Sequence, residues 1–196
     1  MKRTAARLIP LVVLAAVAAG CTKGPPPDLY LLGSAAPDGL PGFEQGVTIG
    51  VGPVVIPPHL DRNQIVTRVS PTRLGLSEQT QWAEPLKVGV TRVLLVSIGL
   101  RLDSNRIYRL PLRQRRDLDY RVAVDLLRLD SRLGEEIVLS ARWTILSGDG
   151  KKVLITKVSR IQESAAGAGT EAMVEAQSRA VSRLGQEIGD LIRERF

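Results

Sequence analysis

The sequence predicts an α+β domain: a largely antiparallel sheet with two amphipathic helices packed on one face. Three observations lead there. Two segments alternate apolar and polar residues with period two, as strands do when one face covers a core. Two others repeat apolar residues at spacings of three and four, as helices do. The chain has 196 residues, enough for one domain with a real core.

The elements follow in order. Val47 to Val55 is β-branched and reads as a strand ended by Pro53, Pro57 and Pro58. Gln64 to Val69 reads as a second short strand and Leu74 to Glu78 as a third. Pro85 suits the first turn of a helix, in which Leu86, Val90, Val93 and Leu94 recur at helical spacing while Lys87, Thr91 and Arg92 lie elsewhere on the wheel. That helix is expected to end near Arg101. Ile107 to Leu110 reads as a short strand before Pro111.

The strongest strand signals come next. Tyr120, Val122, Val124 and Leu126 alternate with Arg121, Ala123 and Asp125. Ile137, Leu139, Ala141, Trp143 and Ile145 alternate with Ser140, Arg142 and Thr144. Ser147-Gly148-Asp149-Gly150 is a hairpin turn, and Lys152 to Ile161 returns as a third strand of this meander. Trp143, Ile145, Val124 and, on the last helix, Leu184 are expected to be buried. Thr170 to Arg195 is that second helix, with Met173, Ala176, Ala180, Leu184, Ile188 and Leu191 as its stripe. Glu171 and Glu175 near its start, and Arg193 and Arg195 near its end, complement the helix dipole.

The first twenty residues read differently. Lys2, Arg3 and Arg7 precede an apolar run from Leu8 to Ala19, broken only by Pro10. That run is about a dozen residues, short of the ~20 a bilayer-spanning helix needs, so it reads as an export signal. Ala18-Ala19-Gly20-Cys21 resembles a bacterial lipobox, which places a lipid on Cys21, the one cysteine in the chain. With a single cysteine, an intrachain disulfide is excluded. The competing reading is an ordinary secretory signal cut after Ala16-Val17-Ala18. Each buried CH₂ of a lipid chain contributes ~0.8 kcal/mol, so several chains hold a protein firmly. Thr22, rather than an Asp, follows the cysteine and leans toward the outer membrane. Pro25-Pro26-Pro27 favours an extended tether of ~3 Å per residue, holding the domain ~20 Å off the lipid. The expected organisation is a signal over 1–20, a lipidated cysteine and Pro/Gly-rich tether over 21–46, and one domain over 47–196.

Charge narrows the partners. The signal takes three of 27 basic residues, leaving 24 against 20 acidic ones, a mature net charge of +4. This mild excess does not call for nucleic acid, but it permits attraction to anionic headgroups. The densest positive tract is Arg113-Gln114-Arg115-Arg116, either a solvated loop or a contact for headgroups or an acidic partner.

Catalysis finds little support. The single histidine, His59, sits in a proline-rich bend without a partner cluster, and no His/Cys set has metal-ligand spacing. Gly46, Gly50 and Gly52 precede prolines rather than a helix start, which empties the phosphate-loop reading. Asp117-Leu118-Asp119 offers either a cation site or the opening of a strand, and the strand is the favoured reading. The chain is therefore expected not to be an enzyme and to need no metal or cofactor.

Two segments are more specific: Leu60-Asp61-Arg62-Asn63-Gln64-Ile65-Val66-Thr67-Arg68 and Gln81-Trp82-Ala83-Glu84-Pro85-Leu86. With Tyr30-Leu31-Leu32-Gly33 and the late-strand Trp143, they resemble the paraquat-inducible protein C (PqiC) family of ABC-type transport auxiliary lipoproteins. His59 stands where that family commonly has Tyr. The resemblance implies a non-enzymatic lipoprotein on the outer membrane, facing the periplasm. Its implied partner is a periplasm-spanning protein with MCE (mammalian cell entry) domains in an intermembrane lipid transport system that supports envelope integrity. A transport accessory needs only a stable surface, and self-association of copies into a ring around an exit is a further contact expected of one. The alternative is an assembly lipoprotein of another envelope machine, for secretion or lipopolysaccharide insertion. Within the motifs, Asp61, Arg62, Gln64, Arg68, Trp82, Glu84 and Pro85 are expected either to hold the fold or to meet the partner. Arg62 and Arg68 are expected to pair with Asp61, Glu78 or Glu84, because arginine–carboxylate forks fix loops geometrically.

Overall fold

The structure, a computed structural model, describes residues 24–33, 46–114 and 116–196. In chain order the elements are β1 (Asp28–Tyr30), β2 (Ile49–Val55), a 3-10 turn (Pro58–Leu60), β3 (Gln64–Arg68), β4 (Leu74–Trp82), α1 (Leu86–Leu102), β5 (Ile107–Arg109), β6 (Tyr120–Asp130), β7 (Glu136–Ser147), β8 (Val153–Ser164) and α2 (Thr170–Arg195). The fold is α+β, with both helices packed on one face of a five-stranded sheet of order β5-β2-β6-β7-β8.

The meander β6-β7-β8 is antiparallel, as its alternation predicts. Trp143, Ile145 and Leu184 are wholly buried and Val124 nearly so. The Trp143 indole N–H donates to Ser159 Oγ at 2.8 Å, so even the polar end of this core ring is satisfied. The β7–β8 turn closes with the Gly150 amide donating to the Ser147 carbonyl, and Gly150 adopts φ +78°.

The five-stranded sheet is largely antiparallel, as expected, with a parallel part: β2 runs parallel to both β5 and β6, because helix α1 carries the chain back to the starting end before β5. Two expectations need correction. Pro53 does not end β2. It sits at an irregularity in the β2–β6 register between Val51 and Val54, where Gly52 takes φ +134° and the ladder is locally interrupted. The segment 28–33 is not tether: β1 pairs in parallel with β4, and Leu32 is buried. Strands β1, β4 and β3 form a second sheet, with β4 running to Trp82, four residues beyond expectation.

Helices α1 and α2 lie side by side and point the same way. Gly185 faces Ser97 and Gly189 faces Arg101, and a Cβ added to Gly185 would meet Ser97 Cβ at 2.6 Å. Ion pairs Arg101–Asp190 and Arg193–Asp103 close the far ends of the helices. Among the described residues, no helix is long and apolar enough to cross a membrane.

This arrangement gives the domain two ends. The starts of both helices share one end with the last residues of β6 and β8, since Arg179 and Arg183 of α2 pair with Glu163 of β8. The starts of β2 and β6 lie at the other, where the Thr48 amide donates to Asp119 Oδ2 at 2.7 Å. Asp119 thus opens a strand.

Candidate functional site

The three sequence motifs converge where β1, β3, β4 and α1 meet. Tyr30 lies opposite Trp82 in the register, and its carbonyl accepts from the Ala83 amide at 2.9 Å. The Trp82 amide donates to the Asn63 carbonyl at 2.7 Å, and the Trp82 ring is buried. Pro85 is the residue before α1 rather than within its first turn, and its carbonyl accepts from Val88 at 2.7 Å.

Glu84 is the acceptor at the centre. Arg92, two turns into α1, donates from Nη2 to Glu84 Oε1 at 2.7 Å and to the Leu32 carbonyl at 2.8 Å. One guanidinium therefore ties the N-terminal segment to the β4–α1 junction. Gly89 makes room: a Cβ there would lie 3.2 Å from Glu84 Oε1 and 3.5 Å from Leu32 Cδ1. The Gly33 amide then donates to Ser178 Oγ of α2 at 2.9 Å. Because Glu84 and Arg92 keep partial contact with water, the pair contributes geometry more than energy.

The remaining motif residues separate. Gln64 Nε2 donates to Glu78 at 3.1 Å. Arg68 pairs not with Asp61, Glu78 or Glu84 but with Asp130 at the end of β6, its Nε 2.8 Å from Oδ2. The β3 backbone explains this, since the Arg68 amide donates to the Ser131 carbonyl and brings the two strand ends together. Asp61 and Arg62 are exposed beside the 3-10 turn, and neither forms an ion pair among the described residues. Arg113 is exposed, and Arg116 lies over the Tyr108 ring at 4.5 Å, toward the end of the domain where β2 begins. Cys21 and Arg115 lie outside the described residues.

Sequence reasoning missed Arg92, Gly89, Ser178 and Asp130 as partners. Arg92 left a trace: α1 carries only Lys87, Arg92 and Arg101 as charges among its 17 residues. It also missed an open groove of about 720 Å³ between the 29–33 segment and α2. Leu29 and Leu31, 64% and 52% exposed, and Val174 line it, with Glu163, Arg179 and Arg183 along the rim.

A family model described as "ABC-type transport auxiliary lipoprotein component" matches residues 30–189, from the β1 tyrosine to α2. The chain belongs to this family. It is accordingly a membrane-anchored lipoprotein, and an auxiliary component points to a non-enzymatic role. Solved structures agree on the fold. The auxiliary lipoprotein superposes on a crystal structure of an uncharacterized protein with a TM-score of 0.69 at 16% identity, covering 86% of this chain and 99% of that one. It superposes on protein XCC0632 from Xanthomonas campestris, of the family DUF330, with a TM-score of 0.64 at 17% identity, covering 84% and 94%. At these identities the likeness concerns fold alone. No curated protein matches by sequence.

Proposed function

We propose that this auxiliary lipoprotein serves an MCE-type intermembrane lipid transport system from the outer membrane, facing the periplasm, by docking a periplasm-spanning MCE-domain protein without turnover of its own. The observation that carries this reading is the family match over residues 30–189, most of the folded domain, joined to the motifs in this sequence. The motifs are largely used internally. Trp82, Glu84 and Pro85 build the junction that holds the N-terminal segment on the helices. Partner contact therefore falls to surfaces outside it, and the exposed arginines Arg113 and Arg116 are one of them. Self-association of several copies around an exit would place such surfaces side by side.

The test is capture from crosslinked envelopes with the mature protein as bait, alongside a variant with Arg113, Arg115 and Arg116 changed to Glu. Recovery of an MCE-domain protein by the wild type supports the reading, and weaker, salt-sensitive recovery by the variant assigns the tract to the contact. Failure of every crosslinked form to capture an MCE-domain protein overturns it. Equal capture by both forms removes only the arginine tract.

A further inference from the structure

At the helix-start end of the domain, a cleft of about 480 Å³ opens between the 3-10 turn, the β3–β4 turn and the end of β6. His59, Arg68, Arg128 and Arg132 line it with a single carboxylate, Asp130; Pro71 and Leu127 complete the wall. Arg68 and Arg128 both converge on one oxygen of that carboxylate, Asp130 Oδ2. Asp130 keeps 13% of its side-chain exposure and Arg68 20%, so these charges sit in partial shelter rather than open water. Burial pushes the Asp130 carboxyl up, but the Arg68 and Arg128 guanidinia outweigh it and hold the carboxyl below the usual carboxylate range. It is therefore ionised and already engaged twice.

The cleft remains short of negative charge. Three guanidinium groups face one lining carboxylate, and Arg132 meets Glu135 only in an exposed pair at 3.2 Å. Each guanidinium carries five N–H donors in a fixed fork. Arg68 pairs with Asp130 by charge, its Nε 2.8 Å from Oδ2, and donates from Nη1 to the Pro71 carbonyl; Arg128 donates from Nε to Asp130; Arg132 donates from Nη1 to Glu135. The other donors of three arginines remain for a ligand with several acceptor oxygens. A tetrahedral oxyanion supplies these, and arginine forks match phosphate geometry. Apolar surface lies beside them: Leu127 lines the cleft, and Leu74, opposite Arg68 in the register, and Leu76 are exposed on the β3–β4 hairpin. The chain enters the fold at β1, whose continuation through Gly33 meets Ser178 in the third turn of α2, beside Gln177, whose side chain donates to Ser131 next to Asp130.

We propose that the cleft formed by His59, Arg68, Arg128 and Arg132 is a phosphate-binding site that takes the phosphate group of a phospholipid headgroup or a soluble phosphate. Asp130 fixes the first two arginines in orientation; Arg132 and His59 close the other side. This does not rest on an MCE partner and stands or falls separately from it.

The experiment uses mature lipoprotein in nonionic detergent micelles, which occupy the anchor. Calorimetric titration with inorganic phosphate forms one arm. Titration with the same micelles carrying phosphatidylglycerol, against micelles carrying an uncharged diacylglycerol, forms the other. The variants are Arg128→Gln with Arg132→Gln, each half-exposed and outside the core, and His59→Gln alone. Lys151→Gln with Lys152→Gln, exposed at the β7–β8 turn toward the opposite end, is the control. The expected result is saturable binding, weakened at least about tenfold in the double variant and retained in the control. Binding in both arms, or in the lipid arm alone, identifies a headgroup site. Binding in the phosphate arm alone identifies a soluble ligand. No binding in either arm, or equal binding by the double variant and wild type with unchanged thermal midpoints, overturns the proposal. If the double variant unfolds, a weakened affinity in His59→Gln decides the same question.

Discussion

Replacing Trp143 by Ala tests the core at its most occupied point. The ring is wholly buried on β7, opposite Lys157 of β8 in the register, whose ammonium lies 5.9 Å from the ring centroid. A buried tryptophan removes ~150–250 Å² from water, about 4–6 kcal/mol at ~25 cal/mol per Å² against an extended chain. Measured large-to-small core substitutions of this kind cost about 3–5 kcal/mol. The polar end adds a separable part: truncation strips Ser159 Oγ, itself buried, of its indole donor. Trp143→Phe keeps most of the apolar area and loses that bond, with an expected cost of about 1–3 kcal/mol. At roughly 2–4 °C per kcal/mol for a domain of this size, Trp143→Ala is expected to lower the thermal midpoint by about 10 °C, and Trp143→Phe by about half that or less. Far-UV circular dichroism during thermal unfolding reads both, with Trp82 left as a fluorescence reporter. A shift below ~2 °C for Trp143→Ala would refute the burial argument and the facing of the whole meander.

Three further outcomes follow from named contacts. Cys21→Ser is expected to move the protein from membranes to the soluble periplasm, or to leave it uncleaved; palmitate label surviving in the variant would contradict lipidation there. Gly185→Val is expected to push α1 and α2 apart and cost about 1–3 kcal/mol in urea unfolding, since the added Cβ would start 2.6 Å from Ser97 Cβ. Asp130 titrates below its ordinary value in the folded state, so its stabilising contribution is present above the unfolded carboxyl pKa of ~3.9 and is lost as pH falls through the folded one. Asp130→Asn is therefore expected to flatten the acid limb of the stability profile below pH ~4, and an unchanged limb would remove Asp130 from acid unfolding.

Much of the fold was legible because its largest elements are locally specified. The stripe of α2, the alternation of β6 and β7, and the turn at Gly150 each encode one face or one bend in neighbouring residues, and burial selects the same face. The motifs were legible as unusual text, yet their roles were not. Nothing in the spacing of Glu84 and Arg92 says that one guanidinium also reaches Leu32, sixty residues away in sequence. The short strand β1 carries no alternation and takes its conformation from pairing with β4. Arg68 found Asp130 because β3 and the end of β6 share a backbone hydrogen bond, a long-range contact that no local pattern announces. By itself the sequence determined the α+β class, the helices, the meander and its buried faces, since these follow from periodicity that hydrophobic burial enforces residue by residue. Only the tertiary structure decided the parallel pairing of β2, the second sheet, the junction around Glu84 and Arg92, and the arginine cleft, because each joins groups distant in sequence through backbone and charge geometry that exists only once the chain has closed on itself.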